Sequence, residues 1–270
     1  MKNIKYYAFP STTREALALL LNKKYKAMAL AGGTLVAKTL PETVETYLDI
    51  KNVPIKNIKL QGGNLVIGAG ATFDEIDRSK LCRAWAGGVI SAAAAKCSSQ
   101  LIRNMATIGG NVARPHSFNI FPVVLLGLDA KVRLLSRSGS CLLDIPGLYS
   151  ADLGLRPGLD SLITEIIIPA KTRRWKCEFI KLAKTESSWD SYITLFFSAE
   201  KKGKSVTQGR VAVGALSPRP FRAPEAEKAL LAGTGASAAA AFAAELEAAR
   251  AGEYRSSAAS SLLKRFAESV

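Results

Sequence analysis

Two short stretches of paired glycines beside a threonine constrain this chain more than any other feature in it. They are Ala31-Gly32-Gly33-Thr34 and the longer run Ile102-Arg103-Asn104-Met105-Ala106-Thr107-Ile108-Gly109-Gly110-Asn111. Glycine reaches positive φ and lets the backbone come close to another group, so successive N–H groups can converge on phosphate oxygens. The threonine hydroxyls add donors. One paired-glycine turn between a strand and a helix is most often only a turn. Two of them in one chain, the second flanked by Arg103-Asn104, match a ligand with two phosphates, that is, a dinucleotide. On this reading the N–H groups of Gly109 and Gly110 face the phosphates.

The surrounding pattern is that of an α+β protein. The pair Thr12 and Glu15 has capping-box spacing and opens an apolar helix through Leu21, followed by strands at 27–30 and 46–50. With a further strand near the start, residues 1–53 make a first unit. Residues 54–170 make a second: a hairpin at 58–67 turning at Gln61-Gly62-Gly63-Asn64, a helix capped by Thr72 and Glu75, a small-residue helix over 84–96, and strands at 131–135, 141–143 and 162–168, the last stopped by Pro169. Residues 171–270 make a third: strand-like runs at 175–184, 192–200 and 205–215, then alanine-rich helices. The tract 236–251 reads as a packing helix and not as a linker.

Composition excludes several classes. Cys82, Cys97, Cys141 and Cys177 are far apart and only one histidine is present, so no zinc site or iron-sulfur cluster is encoded locally, and reduced, buried thiols are expected. No apolar run approaches the roughly 20 residues of a membrane span. The opening residues lack the apolar core of a secretory signal, and a cytoplasmic protein is expected. The net charge of +15 raises a nucleic-acid reading. Its spread in short pairs such as Lys23-Lys24 and Arg173-Arg174 favours a solvated basic surface or one facing an acidic partner subunit. Gly68-Ala69-Gly70 is no Rossmann fingerprint, because Phe73 stands where the third glycine belongs. No nucleophile elbow, Walker loop or acid–base pair marks a catalytic residue. His116 is expected to be structural or to stand just behind the ligand site, with a direct contact in that site as the lesser reading.

The residues resemble the FAD-binding subunits of molybdenum hydroxylases, the xanthine and carbon monoxide dehydrogenases. Their first loop reads approximately Ala-Gly-Gly-Thr-Asp, and their second, Ile-Arg-Asn-x-Ala-Thr-Ile-Gly-Gly-Asn, is matched without a break by residues 102–111. The likeness continues through Leu48-Asp49-Ile50, Ile67-Gly68-Ala69-Gly70-Ala71-Thr72, Phe179-Ile180-Lys181 and Val213-Gly214-Ala215-Leu216-Ser217-Pro218-Arg219-Pro220. It implies a vanillyl-alcohol-oxidase-type FAD-binding fold of two subdomains, followed by a C-terminal domain of antiparallel strands and helices. FAD would lie between the first two units.

By the same resemblance the cofactor contacts are Leu30, Ala31, Gly32, Gly33, Thr34, Leu35 and Val36 from the first loop, and Ala106, Thr107, Gly109, Gly110 and Asn111 from the second. Asn119 stands where the family has an acidic residue, and Leu35 where it often has a polar or acidic one. Ile163 matches a position beside the flavin ring. Lys181 matches a lysine that approaches the flavin from the third domain, where an ammonium favours the reduced, more negative form. The family's arginine downstream of that lysine is not evident in Thr185-Glu186-Ser187-Ser188. The implied role is electron exit: a large partner subunit carries the molybdenum cofactor, a small one carries 2Fe–2S clusters, and FAD here passes electrons to NAD or another acceptor. The alternatives are a self-contained flavoprotein oxidoreductase and a scaffold subunit without FAD.

Overall fold

Three sheets, each built from a consecutive stretch of chain, carry the architecture of the computed structural model, which describes residues 4–35, 43–185, 188, 190–203, 205–232 and 234–270. The first is parallel, with strands β1 (Tyr6–Ala8), β2 (Ala27–Leu30) and β3 (Thr46–Asp49) in the order β1-β3-β2. Helix α1 (Thr13–Leu21) crosses from β1 to β2 and closes a small core of Leu20, Ala27 and Leu48. Thr12 Oγ1 accepts from the N–H of Glu15 at 3.1 Å, but the Glu15 carboxylate accepts from the N–H of Ser11 at 2.8 Å instead of that of Thr12.

The second sheet is antiparallel. Its strands β4 (Ile58–Gln61), β5 (Asn64–Gly68), β6 (Lys131–Ser136), β7 (Gly139–Leu143) and β8 (Leu162–Ile168) lie in the order β4-β5-β8-β6-β7. Between β5 and β6 run α2 (Phe73–Arg78), α3 (Lys80–Arg83), α4 (Val89–Ala95), α5 (Gln100–Arg103), α6 (Ile108–Val112) and α7 (Phe121–Gly127), with α8 (Ile145–Leu148) after β7. Thr72 and Glu75 form the full reciprocal capping box at 3.2 and 2.7 Å. Helices and sheet share one core in which the rings of Phe73 and Phe121 lie 4.9 Å apart. The helix expected over 84–96 begins only at Val89: Ala86, Gly87 and Gly88 have φ of 48°, 67° and 81°, a left-handed stretch that no α-helix accommodates. A bulge in the β6–β8 ladder skips Thr164, whose carbonyl accepts from the N–H of Ala69 at 3.0 Å.

The third sheet is also antiparallel: β9 (Lys176–Leu182), β10 (Ile193–Lys202), β11 (Ser205–Gly214) and β12 (Phe221–Arg222), in the order β12-β11-β10-β9. Helices α9 (Pro224–Ala232), α10 (Gly235–Ala248) and α11 (Glu253–Ser269) close a core with Phe197, Phe242 and Phe266. Ala238, Phe242 and Leu246, spaced by four, are the buried stripe of α10, as expected of a packing helix. The tract does not stay helical to 251, because positive φ at Arg250 and Gly252 turns the chain into α11. Phe196 and Ala212 belong to the central core, so the third sheet packs on the second unit. Asp129, just past α7, fastens that contact: its carboxylate meets Arg210 at 3.0 Å and Lys171 at 2.7 Å.

Candidate functional site

Both glycine loops open onto one cleft of about 570 Å³, walled by the end of β2, the segment around α6, strand β8 and one lysine from β9. Its size is that of a site for a large organic ligand.

The first loop leaves β2 where the Leu30 carbonyl accepts from the N–H of Ile50 at 2.9 Å. The Leu30 side chain packs with Met28, Val44 and Tyr47, so it supports the loop from beneath and does not line the cleft. Ala31, Gly32, Gly33, Thr34 and Leu35 do line it. Val36 lies outside the described residues. Among the described residues, the N–H groups of Gly32, Gly33 and Thr34 have no acceptor. Three donors with no partner at the rim of a cleft are donors to a ligand or to water.

In the second loop Ala106, Thr107, Gly109, Gly110 and Asn111 line the cleft, but the expected role of their glycine N–H groups does not hold. Residues 108–112 form a helical turn capped by Thr107. The N–H of Ile108 donates to Ala71 O at 3.0 Å, that of Gly109 to Ala69 O at 2.8 Å, and that of Asn111 to Thr107 O at 3.0 Å. The N–H of Gly110 donates to Thr107 Oγ1 at 3.2 Å. The glycines serve proximity instead. A Cβ on Gly32 would stand 1.8 Å from the Met105 carbonyl oxygen, and one on Gly109 would stand 2.7 Å from both Cβ and O of Ala69. The absent side chains let the first loop seat on the second, and the second on the strand end after β5. Gly110 differs: it is exposed, and a Cβ there meets only Thr107 Oγ1, at 3.0 Å. Arg103 is also structural, since its guanidinium donates to Ser98 O at 2.7 Å.

Asn119 lines the cleft and is buried, with its amide already engaged. Its Oδ1 accepts from Asn111 at 3.1 Å and its Nδ2 donates to Arg114 O at 2.8 Å, while Asn111 Oδ1 accepts from the N–H of Phe121 at 3.1 Å. The two asparagines lock the 114–119 turn between α6 and α7. Ile163 presents an apolar side chain just before the β8 bulge at Thr164. Lys181 enters from β9, its ammonium donating to Lys96 O at 3.2 Å and to Ser188 O. Burial pushes its pKa below the ordinary value. Burial likewise pushes the neighbouring Cys97 thiol up to about 11, so that side chain is neutral at pH 7.

Several lining residues escape a reading of the sequence. Pro157 and Gly158 reach the cleft because Gly158 O accepts from the N–H of Ala29 at 2.8 Å, a pairing more than 120 residues apart with no local signature. Arg114 lines the cleft three residues after the Gly-Gly-Asn run, and that position was the available signal. His116 lines the cleft as well, its ring 3.6 Å from that of Phe118, which is the place that the lesser of its two sequence readings gives it. No aspartate or glutamate is among the described lining residues, whose apolar members include Ile50, Phe73, Phe118 and Leu162. Such walls fit a flat aromatic ring system, and the unpaired N–H groups and the cations fit an attached diphosphate. FAD has both parts. Among the described residues no cluster of His, Cys, Asp or Glu has metal-site geometry, and no helix is long and apolar enough to cross a membrane.

Comparison with known proteins covers nearly the whole chain. The family described as FAD binding domain in molybdopterin dehydrogenase matches residues 2–171, and the one described as CO dehydrogenase flavoprotein C-terminal domain matches residues 180–270. The carbon monoxide dehydrogenase medium chain of Hydrogenophaga pseudoflava is 24% identical over 80% of this chain and 76% of its own. The xanthine dehydrogenase FAD-binding subunit of Escherichia coli O157:H7 is 25% identical over 82% of this chain and 77% of its own. In fold, the chain is similar to a solved carbon monoxide dehydrogenase from H. pseudoflava that lacks the Mo-pyranopterin moiety of the molybdenum cofactor. That match has a TM-score of 0.85 at 24% identity and covers 98% of this chain and 96% of the other.

Proposed function

Because the chain belongs to the family of FAD-binding domains of molybdopterin dehydrogenases, an oxidoreductase family, we propose that it is the electron-transfer subunit of a molybdenum hydroxylase complex. In this reading a large subunit holds the molybdenum cofactor, a small one holds 2Fe–2S clusters, and electrons pass through FAD on this chain to NAD or another acceptor, in the cytoplasm. The basic surface, net +15, faces acidic partner subunits. The observation that carries the proposal is the meeting of both glycine loops in one cleft with unpaired backbone donors on the first.

Bound FAD supplies the redox chemistry; the chain supplies position, potential and access. Gly32, Gly33 and Thr34 would donate to the diphosphate, while the capped turn at Thr107 holds the opposite wall. Ile163 and its apolar neighbours would pack the ring system and keep water from it. Lys181 would place a positive charge near the ring and favour its reduced form. Among the described residues no side chain in the cleft forms an acid–base pair for oxidising an organic substrate; in this reading substrate oxidation belongs to the partner.

The test is co-purification of the full chain from its native source, with an absorption spectrum of the product. Two partner subunits with flavin and iron-sulfur bands together are expected. A yellow protein that stays alone and oxidises substrate unaided would favour a self-contained flavoprotein, and a colourless complex would favour a scaffold.

A further inference from the structure

The diphosphate of a dinucleotide brings negative charge into a cleft, and an apolar cleft needs a counter-charge to hold it. Among the described residues, one lysine and one arginine line this one, Lys181 and Arg114. Lys181 already donates to two backbone carbonyls, Lys96 O at the end of α4 and Ser188 O after β9. Arg114 is different: its guanidinium has one weak contact, Nη2 to the Met28 sulfur at 3.8 Å, and no carboxylate partner among the described residues. A half-buried guanidinium on a thioether is short of acceptors.

Its backbone, by contrast, is fixed. The Arg114 carbonyl accepts from Asn119 Nδ2 at 2.8 Å, and Asn119 is tied to Asn111 of the second glycine loop at 3.1 Å. A carboxylate at 119 could not donate to that carbonyl, and it would bring an acid beside the guanidinium. The surroundings strengthen the positive potential. A second cavity of about 260 Å³ shares Ala113, Arg114 and Pro157 with the first and adds Arg156 and Arg219. Arg156 is paired with Asp160 at 3.0 Å, while Arg114 and Arg219 have no carboxylate partner among the described residues.

We propose that Arg114 is the residue that selects for the dinucleotide's diphosphate, its guanidinium supplying the counter-charge and Asn119 holding it in place without neutralising it. The inference rests on FAD as the occupant of the cleft.

The experiment is a binding titration of the cofactor-free full chain with FAD and, separately, with riboflavin, which has the ring but no phosphate, at low and high salt. Arg114→Gln is expected to weaken FAD binding by about tenfold or more, the scale of one charge-assisted hydrogen bond. Riboflavin affinity should be unchanged and the salt dependence of FAD binding flatter. Arg114→Lys should fall between, since lysine keeps the charge and loses the fork, and Asn119→Asp should weaken FAD more than riboflavin. Thermal melts of the ligand-free variants separate misfolding from lost affinity. Unchanged FAD affinity in Arg114→Gln, or equal loss of FAD and riboflavin, overturns the inference while FAD occupancy stands. Failure of the unaltered chain to bind FAD refutes the cofactor reading itself, and this inference with it.

Discussion

Gly32→Ala puts one methyl group where the two glycine loops touch. The added Cβ would stand 1.8 Å from the Met105 carbonyl oxygen and 2.5 Å from its carbon. A relaxed carbon-to-carbonyl-oxygen contact is about 3.3 Å, so the loops must part by about 1.5 Å. Neither atom is on a side chain that can rotate away. Overpacking of this kind costs about 1–3 kcal/mol, or roughly 4–8 °C in melting temperature for about 2 kcal/mol in a chain of this size. The larger effect falls on binding, because the opening displaces the three unpaired N–H groups from the wall opposite. Gly33→Ala is the control. Its Cβ would meet only the flexible Leu30 Cδ1 at 3.3 Å, and its cost comes from φ of 65°, about 1–2 kcal/mol without spreading the loops. Chemical denaturation and FAD titration of both variants are the assays. Gly32→Ala should lose far more FAD affinity than Gly33→Ala for a similar loss of stability; wild-type FAD affinity in Gly32→Ala would refute the interlocked-loop account.

Three further outcomes are expected. Gly110→Val adds a side chain at an exposed lining position where a Cβ meets only Thr107 Oγ1, so it should exclude FAD from a protein with a near-normal melting curve; full flavin occupancy counts against the assignment of this loop. Lys181→Met should leave FAD bound and lower its two-electron potential, by about 30 mV if the lost cation is worth about 1.4 kcal/mol, read by spectroelectrochemical titration; an unchanged potential makes Lys181 an ordinary strand residue. Asp129→Asn breaks the cluster with Arg210 and Lys171 and should cost about 2–3 kcal/mol near pH 7. Burial pushes the Asp129 carboxyl up, but hydrogen bonds from Arg210 and Lys171 outweigh it and leave its pKa below the ordinary value. The stability it provides is therefore present above the unfolded carboxyl pKa of about 3.9 and is lost as pH falls through the lower folded value. Urea melts at pH 7 and pH 3 should show the gap between variant and wild type narrowing in acid; a constant gap contradicts the charge-based account.

The α+β class and most elements were legible because they depend on local signals: caps at Thr12 and Thr72, the glycine turn of the first hairpin, and apolar runs ended by Pro169. The differences share one cause: local chemistry in the sequence does not reveal its long-range partners. The helix over 84–96 looked continuous because alanines outvoted Gly87-Gly88, whose left-handed backbone delays the start to Val89. The second glycine loop is legible in its composition, but nothing in the sequence says that Ala69 and Ala71 return to accept the N–H groups of Gly109 and Ile108. Asn119 was legible as a departure from a pattern, whereas its bond to the Arg114 carbonyl was not. Pro157 and Gly158 carry no signal of their own, since they reach the cleft only by pairing with β2.

The central claim is that the two loops form one FAD site in which the first donates backbone hydrogen bonds and the second, already satisfied, acts as a wall. Amide hydrogen exchange of the full chain with and without FAD tests it most directly. The amides of Gly32, Gly33 and Thr34 should exchange quickly in the free protein and slow markedly when FAD binds in a one-to-one ratio, while those of Ile108, Gly109 and Asn111 should be protected in both states. Stoichiometric FAD binding with no change at residues 32–34, or with protection gained first at residues 108–111, would contradict the account.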